Sequence, residues 1–140
     1  MFSIAEHHFE SNKIVSLYNK GVSNINSTLY LYTEKLGESR LVPNKVDGAE
    51  QLEVVSIDSV EECKNATFIK MDIEGAELDA LEGAKQTILR NRPKLAICIY
   101  HSNEDMLRII EYVHNMVPDY SLYVRHHSRA YNETVLYAVP

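Results

Sequence analysis

The sequence predicts an α/β fold that is built on a mostly parallel sheet. Between residues 68 and 117, runs of strand type alternate with helical patterns, and such alternation is typical of parallel sheets with right-handed crossovers. The segment KLAICIY at 94–100 is almost entirely apolar, as expected of a central strand that is covered on both faces. Two further apolar or aromatic runs close the chain, and they predict an antiparallel strand pair.

The first half of the chain predicts β-structure. KIVSLY at 13–18 reads as a short strand before a turn at Gly21, and STLYLYTE at 27–34 alternates like a second strand. The segment 35–50 contains two glycines and a proline, which predicts a loop with room for one short strand. QLEVVSIDSV at 51–60 then predicts another strand.

The second half predicts the order β-α-β-α-β-β. FIKMDI at 68–73 is a strand, and apolar residues at 78, 81, 84 and 88 then predict one helix before Pro93. After the strand at 94–100, Ser102 and Asp105 resemble a capping box that opens a second helix, which stops at Pro118. YSLYVRHH at 120–127 and TVLYAV at 134–139 form the final pair.

Length and composition indicate one domain. The chain has 140 residues, of which 45% are hydrophobic and 24% charged, values typical of a globular protein. The formal charge of −6 disfavours a nucleic-acid or anionic-membrane surface. The sequence contains no signal-peptide pattern and no apolar run of eighteen residues. We therefore expect a cytoplasmic protein whose two cysteines stay reduced.

Polar residues follow the predicted strands directly. Because the carboxyl ends of parallel strands share one edge of a sheet, we expect these side chains to line one crevice. Acids and imidazoles together suit general acid–base chemistry or a divalent metal. The residues are Asp72 and Glu74 after the first strand, His101 after the second, and Arg125, His126 and His127 after the third.

Each of these residues also has a structural interpretation. Glu74 and Glu77 fall at the start of a helix, where carboxylates interact favourably with exposed N–H groups, and His101 can simply bond to the backbone. Asp72 differs, because an acid in an apolar strand is costly unless it is paired or functional. Only one of the neighbours His126 and His127 can face the crevice along a strand.

The segment FIKMDIEGAELDALEGAKQTI at 68–88 resembles the FkbM-type family of S-adenosylmethionine-dependent methyltransferases. That family's signature is a strand ending in D-x-E-G-x-E, followed by a helix that carries L-x-G-A. VVSIDSV before the signature and RPKLAICIYH after it are also similar, so the resemblance runs from about Lys13 to the C-terminus. The matching residues are Asp72, Glu74, Gly75, Glu77, Leu81, Gly83 and Ala84.

The resemblance implies a fold, a reaction and a site. The fold would be the class I methyltransferase (Rossmann-like) sheet, and the reaction would be methyl transfer from S-adenosylmethionine to an oxygen of a sugar or related small metabolite. By the same resemblance, the catalytic residues would be Asp72, Glu74 and His101. The acceptor-binding candidates are Glu77, which belongs to the signature, and the residues at the end of the third strand on the same edge, Arg125, His126 and His127.

The sequence departs from the family in its first strands. Its glycines, at 21, 37, 48, 75 and 83, form no G-x-G pair, whereas this fold holds its cofactor with a glycine-rich turn. We therefore expect a single domain at 1–140 that is truncated at its N-terminus, with a β-meander at 14–57. Gly21, Val22 and Ser23, at the exit of what resembles the third strand, are the cofactor-binding candidates. The chain would be a fragment, one half of a split enzyme or a relic.

Two other functions compete with methyl transfer. A non-enzymatic module would pair with another chain through an open sheet edge, since unpaired edges are templates for association. Metal-dependent hydrolysis by Asp72, His101 and His126 or His127 is weaker, because no close-spaced ligand motif such as H-E-x-x-H occurs. No metal site is predicted.

Overall fold

A computed structural model describes residues 2–9, 12, 14–33, 39–130 and 132–140. After helix α1 (Phe2–Phe9), four strands form a first sheet. Their order is β1-β4-β2-β3, in which β1 runs parallel to β4 and the other neighbours are antiparallel. The strands are β1 (Gly21–Val22), β2 (Ser27–Thr33), β3 (Ser39–Val42) and β4 (Glu50–Val55).

A second sheet carries the strand ends of interest. Its order is β5-β6-β8-β7, and β5, β6 and β7 run in one direction while β8 opposes them. This confirms the predicted order of the strands and the antiparallel final pair. The elements are β5 (Phe68–Met71), α2 (Glu77–Glu82), α3 (Lys85–Asn91), β6 (Lys94–Cys98), α4 (Asn103–Met116), β7 (Ser121–His126) and β8 (Thr134–Val139).

The core lies between the second sheet and helices α2 to α4. Leu95 and Ile97 of β6 face these helices, while Ala96 and Cys98 face the other side of the sheet. All four are buried, as predicted for a central strand. Full burial of one Leu or Ile side chain stabilises the fold by about 1.5–3 kcal/mol. The core therefore fixes β5 and β6, which carry the candidate site at their ends.

The predicted strand at 13–18 is wrong. Residues 14–20 contain no strand, and the short strand β1 lies at Gly21–Val22, where the sequence predicted a turn. Ile14 is 95% exposed and Tyr18 is 46% exposed. An apolar run forms a strand only where a neighbouring strand and a core accept it, and β4 reaches only as far as Gly21 and Val22.

The single helix predicted after Gly75 is in fact two helices. The helix is interrupted at Gly83 and Ala84, which lie between α2 and α3. A Cβ atom on Gly83 would lie 2.1 Å from the backbone oxygen of Ser23, so the break sits where the exit of β1 touches this segment. Asp58 holds the start of α3, because its carboxylate accepts the backbone N–H groups of Gln86 and Thr87 at 2.9 and 2.8 Å.

Replacement of Asp58 by Ala should lower the free energy of unfolding by about 1–2 kcal/mol, the usual cost of losing a helix cap. Two N–H groups at the start of α3 would lose their acceptor. Urea unfolding followed by circular dichroism measures the change. The free energy of unfolding of Asp58→Asn, which retains one carbonyl acceptor, should lie between those of Asp58→Ala and the unchanged chain. A loss below about 0.3 kcal/mol in Asp58→Ala would contradict the capping role.

Three smaller expectations complete the fold. The short strand allowed within 35–50 is β3. Glu34 at the end of the second predicted strand, and the side chain of Asp105 in the predicted capping box, lie outside the described part of the structure. Within the described residues, no helix combines the length and the apolar character that crossing a membrane requires.

Candidate active site

The site begins with a tight turn between β5 and α2. Glu74 has a φ of 56° and Gly75 a φ of 91°, and the N–H of Ala76 bonds to the carbonyl of Ile73 at 3.3 Å. Positive φ at both central residues is the pattern of a type I′ turn, which glycine and asparagine favour and glutamate does not. Backbone strain of this kind clusters at functional sites.

His101 lies at the centre of the acidic residues that this turn brings together. Its Nε2 atom is 3.6 Å from Asp72 Oδ1 and 3.6 Å from Glu74 Oε2. The side chain of His101 is 11% exposed, against 33% for Asp72 and 62% for Glu74. The three predicted catalytic residues therefore share one edge of the second sheet, as the sequence predicted.

Glu77, the first residue of α2, lies on the other side of the imidazole. Its Oε1 atom is 3.1 Å from His101 Nδ1, and it accepts the backbone N–H of Ile73 at 2.8 Å. The Nδ1 contact is an ion pair only when the imidazole is protonated, and the geometry is not that of a hydrogen bond. Glu77 is 1% exposed, so in this conformation it is closed off from an acceptor molecule. Its predicted acceptor-binding role stays a prediction.

Tyr100 anchors Asp72 from the neighbouring strand. The phenol donates to Asp72 Oδ1 at 3.0 Å, and the tyrosine ring lies 4.2 Å from the ring of His101. Burial raises the pKa of the Tyr100 phenol, and the hydrogen bond to Asp72 adds to the shift. Burial also raises the pKa of the nearby Cys98 thiol to about 12, with a contribution from the Asp72 charge. Both groups thus stay neutral around Asp72 at physiological pH.

The cluster carries more negative than positive charge. Three carboxylates surround one imidazole, and Lys70 Nζ lies 3.8 Å from Asp72 Oδ2 on a largely exposed side chain. Such a cluster is suited to accept a proton from a hydroxyl group or to hold a cation. It is poorly suited to a phosphate group, which the carboxylates would repel.

A cavity of about 660 Å³ adjoins the cluster, a volume within the range of small-molecule sites. Glu74 and Gly75 line it together with the cofactor-binding candidates Gly21, Val22 and Ser23. Glu74 therefore belongs both to the cavity wall and to the group around His101. Much of the remaining wall is apolar, from Ile25, Leu29, Leu31, Pro43 and Leu52.

The basic residues of β7 do not join this cluster. Strand β8 lies between β6 and β7, which places the end of β7 about 10 Å from the end of β6. Nδ1 of His126 is 2.8 Å from the Thr134 hydroxyl, and Nε2 of His127 is 2.9 Å from the Tyr137 hydroxyl. Sequence reasoning placed Arg125, His126 and His127 on the correct edge, but it did not foresee that β8 would separate them from His101.

Three contributing residues were missed. Nothing in the sequence marks Tyr100, because an aromatic residue directly before a strand-end histidine gives no signal of its hydrogen bond to Asp72. Asp58 and Gly83 both lie in segments that matched the family pattern. Their roles depend on contacts across the chain, to α3 and to Ser23, which sequence spacing does not reveal.

Replacement of Glu74 by Gly should raise the free energy of unfolding by about 0.5–1 kcal/mol, because glycine adopts a positive φ without strain. Glu74→Ala removes the same carboxylate but keeps a Cβ atom, so it serves as the matched control. The difference between the two variants in urea unfolding isolates the backbone strain. Equal stabilities would show that the turn stores none.

Comparison with known proteins gives two matches. The family model described as "Methyltransferase FkbM domain" matches residues 6–121. The crystal structure of methyltransferase FkbM from Methylobacillus flagellatus KT superposes with a TM-score of 0.75 at 29% sequence identity. The match covers 97% of this chain and 32% of that protein's chain, so the chain spans about a third of its length. No curated protein sequence matches significantly.

Proposed function

The chain belongs to the FkbM methyltransferase family, and from that membership we propose that it transfers a methyl group from S-adenosylmethionine to a hydroxyl of a sugar or related small metabolite. Its fold is a Rossmann-like methyltransferase fold. One observation carries the proposal beyond the family. Glu74 lines the cavity while its carboxylate lies 3.6 Å from His101 Nε2, so a hydroxyl beside Glu74 has a proton acceptor within reach.

The side chains account for the proton in this reaction. As the acceptor oxygen bonds to the methyl carbon, the O–H bond breaks and its proton passes to the exposed carboxylate of Glu74, and from there to the buried Nε2 of His101, 3.6 Å away. Bound S-adenosylmethionine would supply the methyl group and would keep the electron pair of the carbon–sulfur bond on its sulfur. Asp72 lies 3.6 Å from Nε2 and stabilises the imidazolium that forms. Removing the proton in the transition state accelerates such reactions by about 10²–10⁴-fold.

The cavity supports S-adenosylmethionine as the cofactor. When bound, this cofactor supplies an electrophilic methyl group on a cationic sulfur. Glu74 and Asp79, which both line the cavity, would favour a positive charge there, and the leucine side chains suit an aromatic base. Gly21 and Ser23 also line the cavity. These residues would hold the cofactor at the shared cavity.

Calorimetric titration of the 140-residue chain with S-adenosylmethionine tests the cofactor part of the proposal. Saturable one-to-one binding at micromolar concentration supports an enzyme, and Glu74→Gln should weaken it. The methyl-transfer part of the proposal is tested by measuring the formation of S-adenosylhomocysteine with a panel of free sugars and deoxysugars. Absence of any binding heat would reject methyl transfer by this chain on its own.

A non-catalytic module is the second candidate, and one observation favours it. Strand β5 is an edge strand of the second sheet, paired only with β6 among the described residues. Phe68 on this strand is 57% exposed. Such an edge can accept a strand from another chain. Light scattering at several concentrations, combined with the titration above, separates the two: association without cofactor binding favours the module.

The cellular location also stays a prediction. We expect the cytoplasm because Cys63 and Cys98 are unpaired thiols, as is usual in a reducing compartment.

A further inference from the structure

We propose that Asp72, Glu77 and His101 form a site for a divalent transition-metal ion, with manganese, cobalt or zinc as the fitting metals. One donor atom from each residue lies within 4.8 Å of the other two. Donors that share one ion at ligand distances of about 2.1 Å stand no more than about 4.2 Å apart. Small rotations of the side chains therefore suffice to close the site, without movement of the strands.

The imidazole of His101 supplies independent evidence for a ligand. Both ring nitrogens are buried, and within the described structure neither has a hydrogen-bond partner. The whole side chain is 11% exposed. A buried polar nitrogen without a partner costs about 1–3 kcal/mol. A bound cation would satisfy one of these two nitrogens, because neutral imidazole is a strong metal ligand.

Glu77 supplies the second argument. Its side chain is 1% exposed, and its Oε1 atom accepts a hydrogen bond from the Ile73 N–H. Burial of an ionised carboxylate is costly by several kcal/mol unless a positive charge compensates for it. A protonated His101 offers one charge to the three carboxylates around it. A divalent ion offers two and bonds to the oxygens directly.

The three donors are held before any ion binds. Asp72 accepts a hydrogen bond from the Tyr100 hydroxyl, and Glu77 accepts one from the Ile73 N–H. The ring of His101 lies against the Tyr100 ring. Each donor stands on a different element, at the ends of β5 and β6 and the start of α2. Metal sites bind well when surrounding contacts fix their ligands in this way.

The donor set indicates the metal. One imidazole nitrogen and two carboxylate oxygens suit manganese, cobalt or zinc better than calcium, which takes six to eight oxygens. Three protein ligands also leave open positions, as in catalytic sites. A hydroxyl bound there would lose its proton more easily, and Glu74 rather than His101 would then receive it. This catalytic role rests on the proposed methyl transfer, whereas the binding of the ion does not.

The test is a titration of the full chain, stripped with EDTA, with Mn²⁺ followed by electron paramagnetic resonance and with Co²⁺ followed by visible absorption. Neither titration contains S-adenosylmethionine or an acceptor, so the outcome is independent of the proposed function. We expect one ion per chain and a higher midpoint of thermal unfolding. His101→Ala and Glu77→Gln should each weaken binding by more than about 100-fold, beyond the effect of an outer-sphere contact.

His114→Ala is the matched control, since it removes an exposed imidazole on α4 and should leave binding unchanged. Should Glu77→Gln fail to fold, His101→Asn and the nitrogen hyperfine coupling on bound Co²⁺ or Mn²⁺ report on the same site. Two results would overturn the proposal: absence of saturable binding of Mn²⁺, Co²⁺ and Zn²⁺ to the folded chain, or one-to-one binding that survives both His101 substitutions.

Discussion

Gly83→Ala is expected to destabilise the chain by about 3 kcal/mol or more. The new Cβ atom would stand 2.1 Å from the carbonyl oxygen of Ser23 and 3.0 Å from its carbonyl carbon. Both are backbone atoms, so no side-chain rotation relieves the clash. The thermal midpoint should fall by about 10 °C or more, as measured by differential scanning calorimetry.

Gly21→Ala provides a graded comparison. Its Cβ atom would meet side-chain carbons of Val54 and Leu52 at 2.9 and 3.0 Å, and side chains can shift by a few tenths of an ångström. We expect a loss of about 1 kcal/mol. If Gly83→Ala proved as mild as Gly21→Ala, the close approach of the α2–α3 junction to Ser23 would not be a rigid contact.

Asp72→Asn should lower the rate of the proposed methyl transfer by about 10²–10⁴-fold while the fold stays intact. The asparagine carbonyl can still accept the Tyr100 hydroxyl that bonds to Asp72 Oδ1 at 3.0 Å. What disappears is the negative charge 3.6 Å from His101 Nε2. Formation of S-adenosylhomocysteine with whichever acceptor the panel of sugars yields gives the rate, and urea unfolding gives the stability.

Asp119→Asn is the control for this substitution. Its carboxylate pairs with Arg92 at 2.6 Å and is 74% exposed, on the segment before β7 and outside the cluster around His101. The rate of the Asp119→Asn variant in the same assay should equal that of the unchanged chain, and its free energy of unfolding should change little. Full activity in Asp72→Asn would remove Asp72 from the catalytic set.

The sequence predicted the second half of the fold better than the first. From Phe68 onward each element has its own signal: a strand ending in acids, a helical repeat, a fully apolar strand. These signals agree with the contacts that the core provides. In the first half, KIVSLY has the composition of a strand, but residues 14–18 pair with no strand in the part of the chain that the structure describes, and pairing rather than propensity decides β-structure.

The sequence predicted which residues form the candidate site better than how they are arranged. The rule that parallel strands deliver their ends to one edge brought Asp72, Glu74 and His101 together correctly. It did not reveal that Glu77 turns inward beneath the imidazole, because the first turn of a helix offers both inward and outward positions. It also did not foresee that β8 stands between His101 and the residues of β7.

Helix α2 has a mechanical consequence for the site. Its six residues span about 9 Å, from Glu77 beside the imidazole to Glu82. The following residue, Gly83, packs closely against the carbonyl of Ser23 in the cavity wall. The helix therefore connects the cavity wall to the acidic cluster. A molecule that displaces Ser23 as it enters would move this helix and, with it, the Glu77 carboxylate under His101.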